Sequence, residues 1–209
     1  MLQLYFSPMA CSLASRMALM EAGIEARYHP VQLLTKTVVE DDGDFRAVSP
    51  KGAVPVLVLD NGEHLTETAA ILQYIADLRP GRELAPPAGH PDRYRLQEWL
   101  SFVGTEIHKA FLFPTFWYRD EAAKACARER IGGSLAIAAD HLVAREFLVG
   151  QRFTVADAHL TWALLLLGRA GVDIAQWPSL VDYLGRMQAR PQVKAAIDTE
   201  LQVWKAMKG

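Results

Sequence analysis

The pattern of apolar residues in this chain changes at one segment, and that change restricts the possible folds more than any other feature. Upstream of it, alternating runs typical of strands are mixed with helical patterns, whereas downstream only the helical period remains. The segment itself is rich in residues that interrupt helices and strands: Pro80, Gly81, Pro86, Pro87 and Pro91. The sequence therefore predicts an α/β domain over residues 1–79, a linker over 80–92 and an all-helical domain over 93–209.

The upstream pattern predicts a small sheet with two helices. The expected strands are Leu2–Phe6, Arg27–Leu33, Val56–Leu59 and Glu63–Leu65, and the expected helices cover 12–23 and 68–79. Asn61-Gly62 predicts a hairpin turn between the last two strands. Pro30 favours an edge position for the second strand, and the acidic stretch 35–47 predicts a loop or short helix.

The downstream pattern predicts helices alone. They are expected at 93–117, 121–145, 154–170, 178–189 and 191–207. Pro178 and Pro191 each stand where a first helical position is expected. Thr154 and Asp157 have the spacing of a capping box, which is a structural use. His159 and Trp162, in the same helix, are interpreted as core or cleft residues.

Composition and charge favour a soluble, cytoplasmic protein. The 209 residues are 51% hydrophobic and 22% charged, with a net charge of -2, so nothing favours nucleic acid or an anionic membrane as a partner. Two cysteines, Cys11 and Cys126, do not make a disulfide framework, which fits a reducing compartment. The N-terminus has no basic region typical of a signal peptide. The apolar run Leu160–Leu167 is far shorter than the ~20 residues of a membrane-spanning helix.

The stretch around Val54-Pro55 predicts a binding site for a small acidic peptide. A proline just before an apolar strand belongs at the first residue or an edge, because it removes a ladder donor. A sharp turn there, through a cis bond for example, would leave the N–H and C=O of Val54 free to bind an extended peptide. Thr68 begins a helix, whose free N–H groups can bind a carboxylate. An ordinary turn before a core strand explains the same residues equally well.

Cys11 lies at the junction between the first strand and the first helix. A helix N-terminus stabilises a thiolate, so Cys11 could attack or exchange with another sulfur. A small buried apolar side chain is the alternative. There is no Cys-x-x-Cys motif, because Pro8 and Ala14 stand three residues to either side. The chemistry of Cys11 would therefore need an external thiol.

Hydroxyl groups near Cys11 could hydrogen-bond a substrate thiolate and favour its charged form. The candidates are Ser12 and Tyr5, for which a helix cap and a core strand aromatic are the alternatives. In the first helix of the second domain, Ser101, Thr105 and His108 follow i, i+4, i+7 spacing and adjoin Lys109. They form either a solvated helix face or a polar wall in which His108 and Lys109 attract an anion. The histidines show no metal-ligand spacing, so no metal is expected.

Together these features resemble the cytosolic glutathione S-transferases. The shared features are the α/β sheet domain, the Val-Pro before its third strand, the Glu-Thr at a helix start, the helical second domain and the Thr-x-x-Asp cap. The segments 7–15, 105–109 and 150–157 are similar to the bacterial beta class, which places a cysteine near the active sulfur. The resemblance extends over nearly the whole chain. It implies a thioredoxin-like N-terminal domain and an all-α C-terminal domain.

The resemblance also implies roles for individual residues. Val54, next to a cis Pro55, would bind the cysteinyl backbone of glutathione. Glu67 would bind the γ-glutamyl amino group and Thr68 the carboxylate. Lys36 and His108 would reach the glycine carboxylate or its surroundings, although the acidic loop 38–44 departs from the family pattern. The residues implied in catalysis are Cys11, Ser12 and His108, and those implied in glutathione binding are Lys36, Val54, Pro55, Glu67, Thr68, Thr105 and Lys109.

The implied function is conjugation of the glutathione thiolate to small apolar electrophiles, with Cys11-dependent thiol transfer or disulfide and peroxide reduction as a further activity. Candidate walls of the electrophile pocket are Met9, Phe111, Phe113, Phe116 and Trp117, which could equally be core or interface residues. Family members form homodimers and serve in detoxification. The alternatives are a non-catalytic binding or regulatory protein on the same scaffold and a carrier of apolar ligands.

Overall fold

The computed structural model describes residues 1–207 and divides the chain into two compact units. One unit, called the sheet unit here, contains residues 1–84 and the chain from Pro191 onward. The other, the helical unit, contains residues 85–190. The last helix therefore groups with the sheet, whereas the division made from the sequence placed it in the helical domain.

The elements alternate in the first part of the chain and are helical afterwards. The strands are β1 (Leu2–Phe6), β2 (Ala26–Gln32), β3 (Thr37–Val38), β4 (Val56–Val58) and β5 (His64–Thr66). The α-helices are α1 (Ser12–Ala22), α2 (Thr68–Leu78), α3 (Pro91–Phe102), α4 (Phe113–Trp117), α5 (Glu121–Leu142), α6 (Val155–Leu167), α7 (Pro178–Ala189) and α8 (Pro191–Ala206). A π-helix, the π segment, covers Val103–Leu112, and short 3-10 turns cover Phe45–Ala47, Pro80–Arg82 and Gly168–Ala170.

The sheet has the strand order β3-β2-β1-β4-β5. β1 runs parallel to β2 and antiparallel to β4, and β4 forms the predicted hairpin with β5. Leu4 pairs with Tyr28 on one side and Leu57 on the other, and both leucines are fully buried. The alternation of β1 thus places Leu2, Leu4 and Phe6 in the core. The architecture confirms the thioredoxin-like α/β prediction for the N-terminal part and the helical prediction for the C-terminal part.

The stretch expected to be a loop contains a strand. Residues Thr37 and Val38 pair with Gln32 and Val31 as β3, so β2 is not at the edge of the sheet, although Pro30 predicted that position. The pairing buries Val38 in an apolar cluster with Val31 and Phe45. Two residues are too short a run to show a period, which is why the sequence did not indicate this strand.

The predicted helix 93–117 is divided into three. α3 passes into the π segment at Val103, and α4 follows from Phe113. A π-helix turns less per residue than the 3.6-residue helix, so the face of each side chain rotates along it. Ser101 and Thr105 are on the surface, but His108 is turned onto Trp162 of α6, with ring centroids 4.7 Å apart. The continuous polar face predicted from i, i+4, i+7 spacing was therefore wrong for His108.

The helical unit has its core around α6. Its residues from Val155 to Leu164 are buried in succession, Trp162 among the largest fully buried side chains. The predicted cap is present, because the carboxylate of Asp157 accepts a hydrogen bond from the Thr154 N–H at 2.8 Å. Within residues 1–207 no helix is both long and apolar enough to cross a bilayer.

Candidate functional site

The Val54-Pro55 peptide bond is cis, as the sequence suggested. β4 begins directly after it, so the proline occupies the position before the first strand residue. The Val54 N–H makes no hydrogen bond within residues 1–207, whereas its carbonyl accepts one from the Cys11 thiol, with Sγ and O 3.2 Å apart. The expectation that the N–H and C=O of Val54 both lack a hydrogen-bond partner was therefore wrong for the C=O.

Cys11 caps the N-terminus of α1, and its side chain is 8% exposed. The helix begins there because Ser7 to Ala10 form a turn, in which the Ala10 N–H donates to the Ser7 carbonyl at 2.9 Å. The sulfur thus lies at the positive end of the helix, where unpaired N–H groups point outward. Its hydrogen bond to Val54 brings together two residues that the family resemblance assigned to one site, although 43 positions separate them.

The start of α2 faces the same end of the hairpin. β4 and β5 pair antiparallel, with Val56 opposite Thr66, so Val54, just before β4, and Thr68, the first residue of α2, adjoin the same end of the hairpin. Glu67 joins the strand to the helix with φ 70° and ψ 121°, a positive φ that is uncommon outside glycine. The first N–H groups of a helix have no acceptor within it, so those of α2 can bind an acceptor from outside the helix.

Lys51 belongs to this end of the hairpin, although sequence reasoning did not select it. Its Nζ donates to the Thr66 hydroxyl at 3.0 Å and to Glu67 Oε1 at 2.6 Å. Both charged side chains are more than half exposed, so the pair orients the Glu67 carboxylate and adds little to stability. No sequence signal shows this contact, because it depends on the loop 51–54 folding back beside β5.

Lys36 is directed at the loop before the cis bond. Its Nζ donates to the Gly52 carbonyl at 2.7 Å. Burial, with a smaller effect of Arg46, lowers the pKa of Lys36. Gly52 has φ +56°, and a Cβ there would lie 3.4 Å from the Lys36 side chain, so glycine suits this close approach. The structure thus brings Lys36 to the Val54 loop.

Ser12 is fully buried and supports the loop before Cys11. Its hydroxyl donates to the Ser7 carbonyl and accepts from the Ser7 N–H, both at 3.2 Å. It is therefore not the cap of α1, since Cys11 holds that position. Tyr5 stacks on His29 at 4.6 Å, and burial raises the pKa of its phenol. Its packing in the sheet favours the core interpretation.

The loop before Cys11 is also fixed by two residues that sequence reasoning missed, Arg16 and Glu200. Met9 has φ 64°, and its N–H donates to Glu200 Oε2 of α8 at 2.7 Å. Glu200 is fully buried and accepts from Arg16 Nε at 3.1 Å, while the Arg16 guanidinium lies over the Tyr28 ring. Burial raises the pKa of Glu200 to about 7, although Arg16 and the Met9 N–H oppose this.

Glu200 and Arg16 gave no signal in the sequence. A charged residue on an amphipathic helix is normally exposed, and 184 positions separate the two partners. Only the packing of α8 on α1 makes them a buried ion pair next to the Cys11 loop.

The remaining candidates belong to the helical unit. His108 packs on Trp162, and burial, with a smaller effect of Lys109, lowers its pKa to about 4. Its imidazole is therefore neutral at pH 7, and the expected positive charge of His108 was wrong. Lys109 Nζ lies 4.9 Å from the Phe113 ring centroid. Thr105 is exposed, and its hydroxyl donates to the Ser101 carbonyl at 3.1 Å.

The aromatic candidates for pocket walls lie at the end of the π segment and in α4. Phe113 stacks on Trp117 with ring centroids 5.8 Å apart, and Phe116 and Trp117 are 43% and 41% exposed. Phe111 is half-buried, and Met9, in the sheet unit, is buried. Exposed aromatic rings in one short helix offer a surface for an apolar molecule. In the described part of the chain, no group of three or more metal-ligating side chains is present.

Comparison with known proteins connects this geometry to one family. Residues 8–78 match the family model described as glutathione S-transferase, N-terminal domain, and residues 99–191 match the one described as glutathione S-transferase, C-terminal domain. The chain is 37% identical over 200 residues to the glutathione S-transferase GstA of Escherichia coli O157:H7, which covers 95% of this chain and 98% of that protein.

Solved structures agree with the sequence matches. A sphingomonad glutathione S-transferase complexed with glutathione superimposes with a TM-score of 0.90 at 44% identity, covering 95% of this chain and 98% of that one. A bacterial beta class glutathione S-transferase from Sphingomonas chungbukensis gives a TM-score of 0.90 at 42% identity, with the same coverage of both chains.

Proposed function

Because this chain belongs to the glutathione S-transferase family and is similar to its bacterial beta class, we propose that it binds glutathione and conjugates it to small apolar electrophiles. The observation that supports this most directly is the arrangement of three groups in the sheet unit. In support, the Cys11 sulfur lies 3.2 Å from the Val54 carbonyl, and Val54 and Thr68 adjoin the same end of the β4–β5 hairpin.

The chemistry of these groups suits the two ends of the γ-glutamyl-cysteinyl part of the tripeptide. The Val54 N–H donates a hydrogen bond to the cysteinyl carbonyl of glutathione, which binds as an added strand would. The first N–H groups of α2 and the Thr68 hydroxyl bind the γ-glutamyl carboxylate. Glu67 binds the ammonium group, a charge-assisted contact that Lys51 pre-orients. Lys36, Thr105 and Lys109 contribute positive or polar groups to the rest of the tripeptide.

The reaction requires the glutathione thiol in its charged form. Helix N-termini and neighbouring donors stabilise the thiolate while the thiol proton passes to solvent. The sulfur then forms a bond to the electrophilic carbon, and the leaving group departs with its electron pair. His108 acts as a neutral imidazole, able to donate from one ring nitrogen and accept at the other. Ser12 contributes indirectly, because its hydroxyl holds the Ser7–Cys11 loop, and with it Cys11, in position.

Cys11 provides a second reaction, thiol transfer. Its thiolate attacks the glutathione-side sulfur of a mixed disulfide, and the other thiol is released. A second glutathione thiolate then attacks the protein-bound disulfide, giving glutathione disulfide and free Cys11. The position of the Cys11 sulfur beside Val54 favours this reaction, since the glutathione cysteine would bind at the same point. Other disulfide substrates would follow the same route. A peroxide would instead be attacked at one oxygen by the Cys11 thiolate, which breaks the O–O bond, releases an alcohol or water and leaves a sulfenic acid. One glutathione would convert the sulfenic acid to the mixed disulfide with loss of water, and a second would release Cys11 as above.

The electrophile binds an apolar surface of the helical unit made of Phe111, Phe113, Phe116 and Trp117, and the family resemblance adds Met9 of the sheet unit to the candidate residues. We propose a role in detoxification, because an open aromatic surface fits a range of apolar electrophiles better than one polar metabolite. Cys11 and Cys126 are not joined in a disulfide, which supports a location in the reducing cytoplasm.

The test is retention on immobilised glutathione together with turnover of a chlorinated nitrobenzene. Binding and conjugation are expected for the wild-type protein, and Glu67→Gln should raise the KM for glutathione by about tenfold, the loss of one charge-assisted hydrogen bond. Glu63→Gln, in the neighbouring turn, is the matched control and should change neither value. A protein that neither binds glutathione nor turns over the electrophile would refute the proposal.

A further inference from the structure

His159 on α6 is a buried polar side chain that the proposed reaction does not use. It is 1% exposed, and neither of its ring nitrogens has a hydrogen-bond partner among residues 1–207. Its ring stacks on the Trp162 indole, with centroids 5.8 Å apart, and lies close to Gly104 of the π segment, where a Cβ would be 3.7 Å from Cε1. The imidazole is thus buried among groups that offer its nitrogens no hydrogen bond.

A buried imidazole without hydrogen bonds destabilises the folded state unless a molecule other than the chain supplies them. Leaving a buried donor or acceptor unpaired costs about 1–3 kcal/mol, and an imidazole has one of each. Burial, with a smaller effect of His108, lowers the pKa of His159 to about 3, so protonation does not relieve the cost near neutral pH. Buried waters commonly satisfy groups of this kind, making two to four hydrogen bonds each.

His108 is a second histidine whose ring contacts the same indole. Its ring meets Trp162 edge-on at 4.7 Å, whereas His159 lies nearly parallel to the indole at an interplanar angle of 21°. His108 also has no hydrogen bond from its ring within the described chain. The π segment creates this arrangement, since it turns His108 away from the surface and towards α6. Lys109 is the charged group that acts on His108.

We propose that His159 is a positioning residue for His108, and that the two imidazoles share buried water beside Trp162 that fixes the tautomer and orientation of the His108 ring. The consequence for catalysis rests on the proposed function, in which His108 takes part as a neutral donor and acceptor of hydrogen bonds. The link between the two histidines does not rest on it. His159 itself touches no substrate, so removing it should alter the rate through His108 alone.

The first experiment follows the imidazole nitrogens by NMR in the glutathione-free protein. His159→Phe, which keeps a flat ring without nitrogens, should change the tautomer signature and the titration midpoint of His108. His159→Gln, which can still bind the water, should restore both towards the wild type. His141→Phe is the matched control: His141 lies in the same unit but is paired to the Leu148 carbonyl at 2.9 Å. This control should leave His108 unchanged.

The second measurement needs no variant and applies if His159→Phe does not fold. In the wild-type protein, magnetisation transfer from long-lived bound water to the His159 ring protons is expected. Its absence would overturn the proposal, as would a His108 titration that is the same in the wild type and His159→Phe. A merely structural His159 would lower the Tm in both His159 variants and leave the His108 signals unmoved.

Kinetics separates this inference from the proposed function. His159→Phe should lower the kcat for conjugation by about tenfold, the value of one hydrogen bond of ordinary strength, with little change in KM. If glutathione is not turned over but the NMR coupling is present, the proposed function fails and the histidine link stands. If turnover is normal and the coupling is absent, the proposed function stands and the histidine link fails.

Discussion

At the scale of single residues, the Cys11 sulfur is the group whose position decides between two reactions. It donates to the Val54 carbonyl at 3.2 Å, so the thiol is both a structural donor and a potential nucleophile. In conjugation the attacking sulfur belongs to glutathione, and Cys11 is only a neighbour. In thiol transfer Cys11 itself forms and breaks a disulfide. Substitution at this one position separates the two reactions.

We expect Cys11→Ala to abolish thiol transfer and to keep conjugation within about tenfold of the wild type, since only a neighbouring hydrogen bond is lost. Cys11→Ser should likewise lack thiol transfer, because an oxygen cannot form the disulfide, but should conjugate better than Cys11→Ala. Paired assays of disulfide reduction and aromatic-electrophile conjugation measure this. Cys126→Ser, at an exposed position of α5, is the control. A folded Cys11→Ala protein without conjugation would contradict the expectation.

At the scale of elements, two buried carboxylates connect helices to their surroundings. Asp157 accepts four hydrogen bonds, from the N–H groups of Leu148 and Thr154, the Thr154 hydroxyl and the Tyr183 hydroxyl of α7. Glu200 connects α8 to α1 through Arg16 and to the loop before Cys11 through Met9. Each carboxylate thus fixes groups that local sequence does not bring together.

Asp157→Ala should destabilise the protein by at least about 3 kcal/mol, because three or more buried donors lose their acceptor. Thr154→Ala should cost about 1 kcal/mol, and Thr154→Ser, which keeps the hydroxyl, much less. Urea unfolding gives these values. The KM for glutathione of the folded fraction should remain near the wild-type value in all three variants. A large change in that KM without loss of stability would show that the cap shapes the site directly.

Glu200 predicts a pH dependence whose sign follows from its pKa. The folded-state pKa of about 7 exceeds the ordinary value of 4.5, so the folded state binds this proton more tightly. The stability due to protonated Glu200 is full below pH 4.5 and is lost as the pH rises towards 7. Relative to Glu200→Gln, the wild-type free energy of unfolding should therefore fall between pH 4.5 and 7.

Unfolding of both proteins in urea across that pH range measures the difference, and contributions from the histidines cancel in the comparison. Glu129→Gln, at an exposed position of α5, is the control and should give no such slope. If the wild type instead gains stability relative to Glu200→Gln as the pH rises, the attraction of Arg16 outweighs burial and the pKa of Glu200 lies below its ordinary value of 4.5.

At the scale of the whole molecule, the chain presents large apolar side chains on the surface of both units. Leu34 and Val39 are exposed in the sheet unit, and Tyr94, Ile137 and Val143 in the helical unit. Scattered exposed apolar residues are common in monomers, but family resemblance supports self-association of this chain. The small net charge of -2 offers little electrostatic resistance to pairing of two copies.

We expect a homodimer in solution, with a light-scattering mass twice the 23.2 kDa of one chain. The mass should persist on dilution, because an obligate interface buries a large apolar area. Raising the salt concentration is the control for charge-driven association and should leave the mass unchanged. A mass of one chain at every concentration would contradict the dimer.

The sequence by itself determined the elements whose causes are local. Asn61-Gly62 specifies the β4–β5 hairpin, Gly23 ends α1 with φ 65°, and Pro178 and Pro191 begin α7 and α8. Each depends on the backbone preference of one or two residues, so the residues themselves are sufficient evidence. That Cys11 and Val54 belong to one site followed from the resemblance to the glutathione S-transferases, not from local preference.

Only the tertiary structure decided which distant groups meet. The β3 pairing, the Lys51–Glu67 contact and the burial of Glu200 beside Met9 all depend on segments that fold back from elsewhere in the chain. The neutral state of His108 likewise follows from the π segment, whose wider turn breaks the period that sequence reasoning assumes. Local propensity cannot encode such contacts, because each joins groups that become neighbours only when distant segments of the chain pack together, and the buried ones gain their free energy only there.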